Sequence, residues 1–229
     1  IYRCGLITLE EYLGLQKDNL LRYYSIKGRR FHSLENSSFN AWNKLYRPDE
    51  NSTNSSISYY LKGGIAFFIL HTLFIKHEKD INDLLHELWQ AYLRNPKEGL
   101  ETEDILNMIE SIGNTSIRDK FDLMISTTEE LDIIDSFNSI GLELDFQAEE
   151  GSYLGIKHKL SGDRVYIHSV ELDGPAYKSG LNAGDEIIAI NGNRVLADDM
   201  TKVDKYLLPN KYYDFAIFRI GKLTNVEVL

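Results

Sequence analysis

Cysteine is nearly missing from this chain. Its 229 residues contain one, Cys4, so an internal disulfide framework is excluded and the core has to hold by packing. A lone thiol is compatible with a reducing compartment, and the cytoplasm is the expected location. Basic charge is also short: 25 Lys and Arg stand against 35 Asp and Glu, which argues against nucleic acid as a partner. The apolar run from Gly63 to Ile75 falls well below the roughly 20 residues of a membrane span. It contains His71 and reads as a buried helix, so no membrane partner is expected. No initiator methionine, basic leader or small-residue cleavage site opens the chain, and a fragment of a longer protein is expected. Asn-x-Ser/Thr triplets at Asn36, Asn51, Asn54 and Asn114 fit the glycosylation pattern, but loops rich in Asn and Ser produce them by chance. No period recurs, which excludes a repeat array.

Helix punctuation fills the first part of the chain. Thr8-Leu9-Glu10-Glu11 is a capping box, in which the threonine oxygen serves a free first-turn amide and Glu11 reaches back. A helix is predicted from about Leu9 to Tyr24, with Gly28 marking its end. Ser33 to Trp42 carries a weaker helical pattern. Arg47 to Ser56 is loop chemistry throughout, because Pro fixes one dihedral and Asp, Asn and Ser bond locally to the backbone. It delivers the chain to Ser58-Tyr59-Tyr60-Leu61-Lys62-Gly63-Gly64, which opens the apolar helix. Asp80 is expected to cap an amphipathic helix whose stripe is Ile81, Leu84, Leu85, Leu88, Trp89 and Tyr92. Further helices are predicted from Thr102, from Ser116, and from Thr128 and Glu129 to Gly141. The result is an all-α layer of short capped helices.

The period changes at Leu142-Glu143-Leu144-Asp145-Phe146, where apolar and polar residues alternate as in a strand. A boundary therefore belongs near Gly141 to Gly151. The predicted architecture is multidomain α+β, with an all-α helical subdomain over 1–145 and a small β-barrel or sandwich with two helices over 146–229. Strands are predicted at Arg164 to Val170 and Glu186 to Ile190, a hairpin at Asn191-Gly192, and a longer helix from Asp198 to Leu208. Tyr212 to Arg219 is expected to pair with Asn225 to Leu229 across Gly221. The ordered run Gly174-Pro175-Ala176, Ser179-Gly180-Leu181, Ala183-Gly184-Asp185-Glu186-Ile187 and Ile190-Asn191-Gly192 resembles a PDZ domain, from about Phe146 to the end. That resemblance implies an extended peptide added as a strand, its terminal carboxylate captured by backbone amides. The matching loop is Ser152-Tyr153-Leu154-Gly155-Ile156. Gly155 would let the backbone approach the ligand, with Tyr153 beside it, while Leu154, Ile156, Val203 and Leu207 would line the pocket for the last side chain. The partner implied is a peptide C-terminus; the alternative is a groove filled by the neighbouring domain.

The first part carries a second resemblance. Ile1 to Ile7, Ser38-Phe39-Asn40-Ala41-Trp42, Arg47-Pro48-Asp49-Glu50-Asn51 and Tyr59-Tyr60-Leu61-Lys62-Gly63 together resemble the glycyl aminopeptidase family of gluzincin zinc metallopeptidases, whose members carry a PDZ domain. The resemblance implies that Tyr60, or its neighbour Tyr59, donates a hydrogen bond to the oxyanion formed when zinc-activated water attacks a peptide carbonyl. It also offers Asp49 and Glu50 as carboxylates for a substrate's amino terminus, where their residue chemistry alone gives turn formation. Zinc chemistry of this kind needs His-Glu-x-x-His, which is absent. The nearest match, His86-Glu87-Leu88-Trp89-Gln90, has an amide in place of the second imidazole and is expected on a solvated face. No metal ligand is therefore expected within this chain, and zinc, if present, has its ligands outside it. Lys62 is expected to place its charge at the helix's edge, and His71 to be a core histidine. The expected function is the C-terminal portion of a zinc-dependent aminopeptidase acting on peptides, inactive as this fragment alone. The alternative is a non-catalytic PDZ-containing peptide-binding protein or a metal-less peptidase relative.

Overall fold

A computed structural model describes residues 2–147, 152–200, 203 and 207–229, without the side chain of residue 198. The chain divides into two compact units, one made of Ile1–Arg47 and Ser56–Phe146, the other of Pro48–Ser55 and Gln147–Leu229. Eight residues from within the helical stretch thus group with the β part.

In the first unit, the predicted capping box opens α1 (Leu9–Ser25), with both of its reciprocal bonds formed between Thr8 and Glu11. Gly28 does not cap this helix. It sits in a 3-10 turn (Lys27–Arg30), where its missing Cβ lets the backbone of Ser56 lie against it. The pattern from Ser33 splits into α2 (Leu34–Phe39) and α3 (Ala41–Lys44), broken at Asn40. After α4 (Ser52–Ser55), which belongs to the other unit, the central helix α5 runs from Tyr59–Lys76. The stretch Ser52–Lys76 is long and apolar enough to cross a membrane, yet α5 is the hub on which α1, α2, α6 (Ile81–Arg94), α8 (Thr115–Ser126) and α9 (Ile133–Ser139) pack. Ile65, Ile69, Leu70 and Phe74 of α5 join Leu84, Ile109, Ile117 and Phe137 in one core. Burying each such side chain contributes about 1.5–3 kcal/mol relative to exposure.

Several expectations shift. Helix α7 (Thr102–Ile112) is capped by Glu101, which pairs reciprocally with Asp104, rather than by Thr102. Asn114 caps α8, and α9 begins only at Ile133, the stretch from Thr128 being non-helical. Of the α6 stripe, Ile81 and Leu84 are buried and Leu88 is half-buried, but Leu85, Trp89 and Tyr92 face outward, because the neighbours of α6 cover only part of its apolar face. Leu142 to Phe146 forms no strand. Leu142 and Leu144 alternate inward because the segment lies extended on the helical core, not because it pairs with a neighbour.

The second unit holds β1 (Ile156–Ser161), β2 (Arg164–Val170), α10 (Pro175–Lys178), β3 (Glu186–Ile190), β4 (Asn193–Arg194), α11 (Ala197–Met200), β5 (Tyr213–Arg219) and β6 (Lys222–Val228). All pairings described are antiparallel, in the order β1-β2-β3-β5-β6 with β4 on β3. Two tight turns carry the positive φ that such hairpins need: Asn191 and Gly192 at 50° and 76°, Ile220 and Gly221 at 50° and 74°. The helix expected from Asp198 to Leu208 is described only as α11 and as a helical Val203; much of the remainder lies outside the described residues. Buried Asp185, 1% exposed, accepts two bonds from Arg219 at 2.7 and 2.8 Å.

Candidate functional site

The two tyrosines singled out by sequence form the first turn of α5. The backbone that leads to them is held on three sides. Gly28 backs onto Ser56, the Ser37 hydroxyl donates to the Ile57 carbonyl, and Ile57 itself is core. Lys62, expected at the helix's edge, is instead fully buried and donates to the His32 carbonyl at 3.3 Å. It lies on the face that α5 turns to the core, so its ammonium bonds to backbone, not to water. Burial pulls its pKa below the ordinary lysine value, with Glu130 opposing.

Tyr60 is 63% exposed and Tyr59 half-buried, their ring centroids 4.1 Å apart. A third tyrosine joins them. The Tyr46 hydroxyl lies 3.2 Å from that of Tyr60, and its ring leans on Trp42 at 5.0 Å. Hydrogen bonds from Tyr46 and Tyr59 hold the Tyr60 phenol below its ordinary value, whereas hydrogen bonding to Tyr60 and Tyr46 pushes Tyr59 up. Sequence reasoning missed Tyr46; the four-residue spacing of Trp42 and Tyr46 around a helix end was the available signal.

Asp49 and Glu50 belong to the second unit. Asp49 Oδ1 accepts from the Asn51 amide at 3.0 Å and the Ser52 hydroxyl at 2.8 Å, the bonds of a tight turn. Glu50 is exposed. The loop is fastened by Asn54, whose buried side chain spans the end of β2. Its Nδ2 donates to the Val170 carbonyl at 2.8 Å and to Asn51 Oδ1 at 3.0 Å, while its Oδ1 accepts from the Leu172 amide at 2.9 Å.

Of the expected groove residues, Gly155 has φ +73°, a left-handed conformation that favours glycine. Its carbonyl accepts from the Glu171 amide at 2.7 Å, and the Leu154 carbonyl accepts from Ala176 at 3.0 Å. Tyr153, Leu154 and Leu207 line a cavity of about 280 Å³ together with Pro175, Tyr213 and Val228. Val203 and Leu207 line a neighbouring one of about 320 Å³. Leu154, Val203 and Leu207 are otherwise buried in the core of this unit, and Ile156 packs against it. Burial, and behind it Glu171, pushes the Tyr153 phenol upward. Strand β1 lies at the end of the sheet order, so its outer edge has no described partner strand.

Among the described residues, no group of three or more His, Cys, Asp or Glu is placed to hold a metal ion. His86 is exposed, and Glu87 lies 3.9 Å from Arg94.

The first unit is α-helical and carries a cluster of phenols, and the second is a PDZ-like sheet. Comparisons add the relationship. Residues 1–66 match the family model of the M61 glycyl aminopeptidases, and residues 152–228 that of the PDZ domain. The chain is similar to the crystal structure of an aminopeptidase N family protein from Idiomarina loihiensis, with 26% identity and a TM-score of 0.85 over 98% of this chain and 41% of that one. It thus spans about two fifths of that structure. Over 34% of its length it is similar to the HtrA-type protease AlgW with decapeptide (23% identity, 28% of that chain, TM-score 0.32). A serine endoprotease from Yersinia pestis covers the same share (22% identity, 28% of that chain, TM-score 0.30). No curated protein matches the chain. The chain is a peptidase-related protein whose residues 152–228 form a PDZ domain, and the resemblance read from its motifs is borne out.

Proposed function

We propose that this chain is the C-terminal part of an aminopeptidase of the glycyl aminopeptidase type, with Tyr60 as the hydrogen-bond donor to the developing oxyanion. The observation that carries the reading is the exposed Tyr60 phenol at the start of a rigidly seated helix, inside the segment that matches the M61 model. A phenol with a reference pKa near 10 keeps its proton at neutral pH and donates without being consumed. Zinc, with ligands elsewhere in the parent protein, would supply the Lewis acid of such chemistry. Within this chain the residues orient: Ser37 and Gly28 seat the segment that leads to the first turn, and Tyr60 offers its O–H to the carbonyl oxygen of the peptide.

The PDZ domain supports peptide binding. The edge of β1, which has no partner strand among the described residues, and the left-handed Gly155 suit an added strand whose terminal carboxylate meets the loop from Tyr153 to Ile156. These features also favour the second reading, a peptide-binding protein without catalysis. Metal analysis with an aminopeptidase assay on the intact protein separates the two. In an active intact enzyme, Tyr60→Phe lowers turnover by about two orders of magnitude or more with zinc content unchanged. Unchanged turnover removes the assignment.

A further inference from the structure

Tyr60 stands on the first turn of α5 with its ring largely in solvent, and on its own helix the Tyr59 ring lies against it. A further restraint comes from elsewhere in the unit. Tyr46 follows α3, its amide bonded to the Ala41 carbonyl at 3.0 Å and its ring against Trp42. Its hydroxyl meets that of Tyr60 at 3.2 Å, while the Tyr59 ring lies against the other's.

We propose that Tyr46 is a positioning residue that donates its hydroxyl proton to Tyr60, holding that phenol as the one that faces substrate and leaving Tyr59 as its backing. This rests on the reading of Tyr60 as oxyanion donor and goes beyond it by naming what aims the donor. A hydroxyl has one proton and two lone pairs. With Tyr46 donating into one lone pair, the proton of Tyr60 is free to point outward, and the chain O–H···O–H is polarised toward the substrate. Tyr60 becomes the stronger donor and Tyr59 the weaker, which matches the opposite directions in which their acidities are displaced. The titratable groups acting on Tyr60 are Tyr46 and Tyr59.

The test is Tyr46→Phe in the intact protein, because it keeps the ring on Trp42 and removes one oxygen. Tyrosines labelled with 13C at the ζ carbon are titrated by NMR, the Tyr60 signal being assigned by its loss in Tyr60→Phe. In Tyr46→Phe the Tyr60 titration moves to higher pH, kcat falls about fivefold to tenfold with KM unchanged, and the double variant is no slower than Tyr60→Phe alone. An unmoved Tyr60 titration, or a kcat equal to wild type while Tyr60→Phe is disabled, overturns the positioning role and leaves the donor reading standing. Full turnover in Tyr60→Phe overturns the donor reading itself, and this proposal with it.

Discussion

Asn54 is the most exposing point at which to perturb this molecule. Its buried amide closes three hydrogen bonds at once, two of them to backbone groups at and just past the end of β2, 116 and 118 residues away. Asn54→Ala takes away the described partner of the Leu172 amide and the Asn54 bond of the Val170 carbonyl. Each polar group so stranded costs about 1–3 kcal/mol if water does not replace the partner. With partial access of water at the loop, the sum is about 2–4 kcal/mol, or roughly 30-fold to 1,000-fold in the equilibrium between docked and undocked loop. Hydrogen exchange measures this directly. The Leu172 amide loses protection by that ratio, and the Asn54 and Ser55 amides, bonded to the Asn51 carbonyl, lose it with Leu172. The β5–β6 hairpin, held by its own ladder, keeps its rates. Asn54→Asp keeps the acceptor for Leu172 but sets a carboxylate oxygen against the Val170 carbonyl, so it also opens the loop. Wild-type exchange at Leu172 in Asn54→Ala would refute the reasoning, because it would mean that the side chain does not hold the loop.

Three further outcomes are expected. In Gly28→Ala the new methyl overlaps the Ser56 backbone, so the segment leading to Tyr59 shifts; overpacking of this kind costs about 1–3 kcal/mol, read as a lower midpoint in urea unfolding. Lys62→Met replaces a buried ammonium with an apolar chain of similar volume and is neutral or stabilising by about 1–4 kcal/mol; marked destabilisation in the same titration would show that the ammonium is structurally required. Burial holds His32 and His71 below the ordinary histidine value of 6.5; Lys44 and Lys62 add to this at His32 against a backbone bond with Asn36, and Arg3 adds to it at His71 against Asp80. The unfolded chain then binds protons first as pH falls past 6.5, ν_U exceeds ν_N, and stability drops between that value and the lower folded ones. Denaturation midpoints measured from pH 8 to 5 fall in that window, and the fall is shallower in His32→Leu; a flat profile contradicts it.

Some of this protein was legible residue by residue. The Thr8 and Glu11 capping box, the Asp80 cap and the Asn191-Gly192 turn were readable because each closes its bonds within a few positions of itself. The order of turns and strands in the β part carried the PDZ fold for the same reason. The tyrosine pair at the start of α5 was found by resemblance, not by periodicity.

Tertiary structure decided the rest. Alternation at Leu142 to Phe146 records an inward and an outward side, and only the packed core shows that the inward side faces helices and not a strand partner. A glycine at position 28 looks like a helix stop until Ser56 is laid against it. The burial of Lys62, the meeting of Tyr46 with Tyr60, and the grip of Asn54 on residues 170 and 172 involve partners 14 to 118 positions apart. Such contacts follow from which faces the helices and strands turn to one another. Local propensity sets where an element begins and ends, but the apolar area it hides, and the polar groups it strands or satisfies, depend on its neighbours.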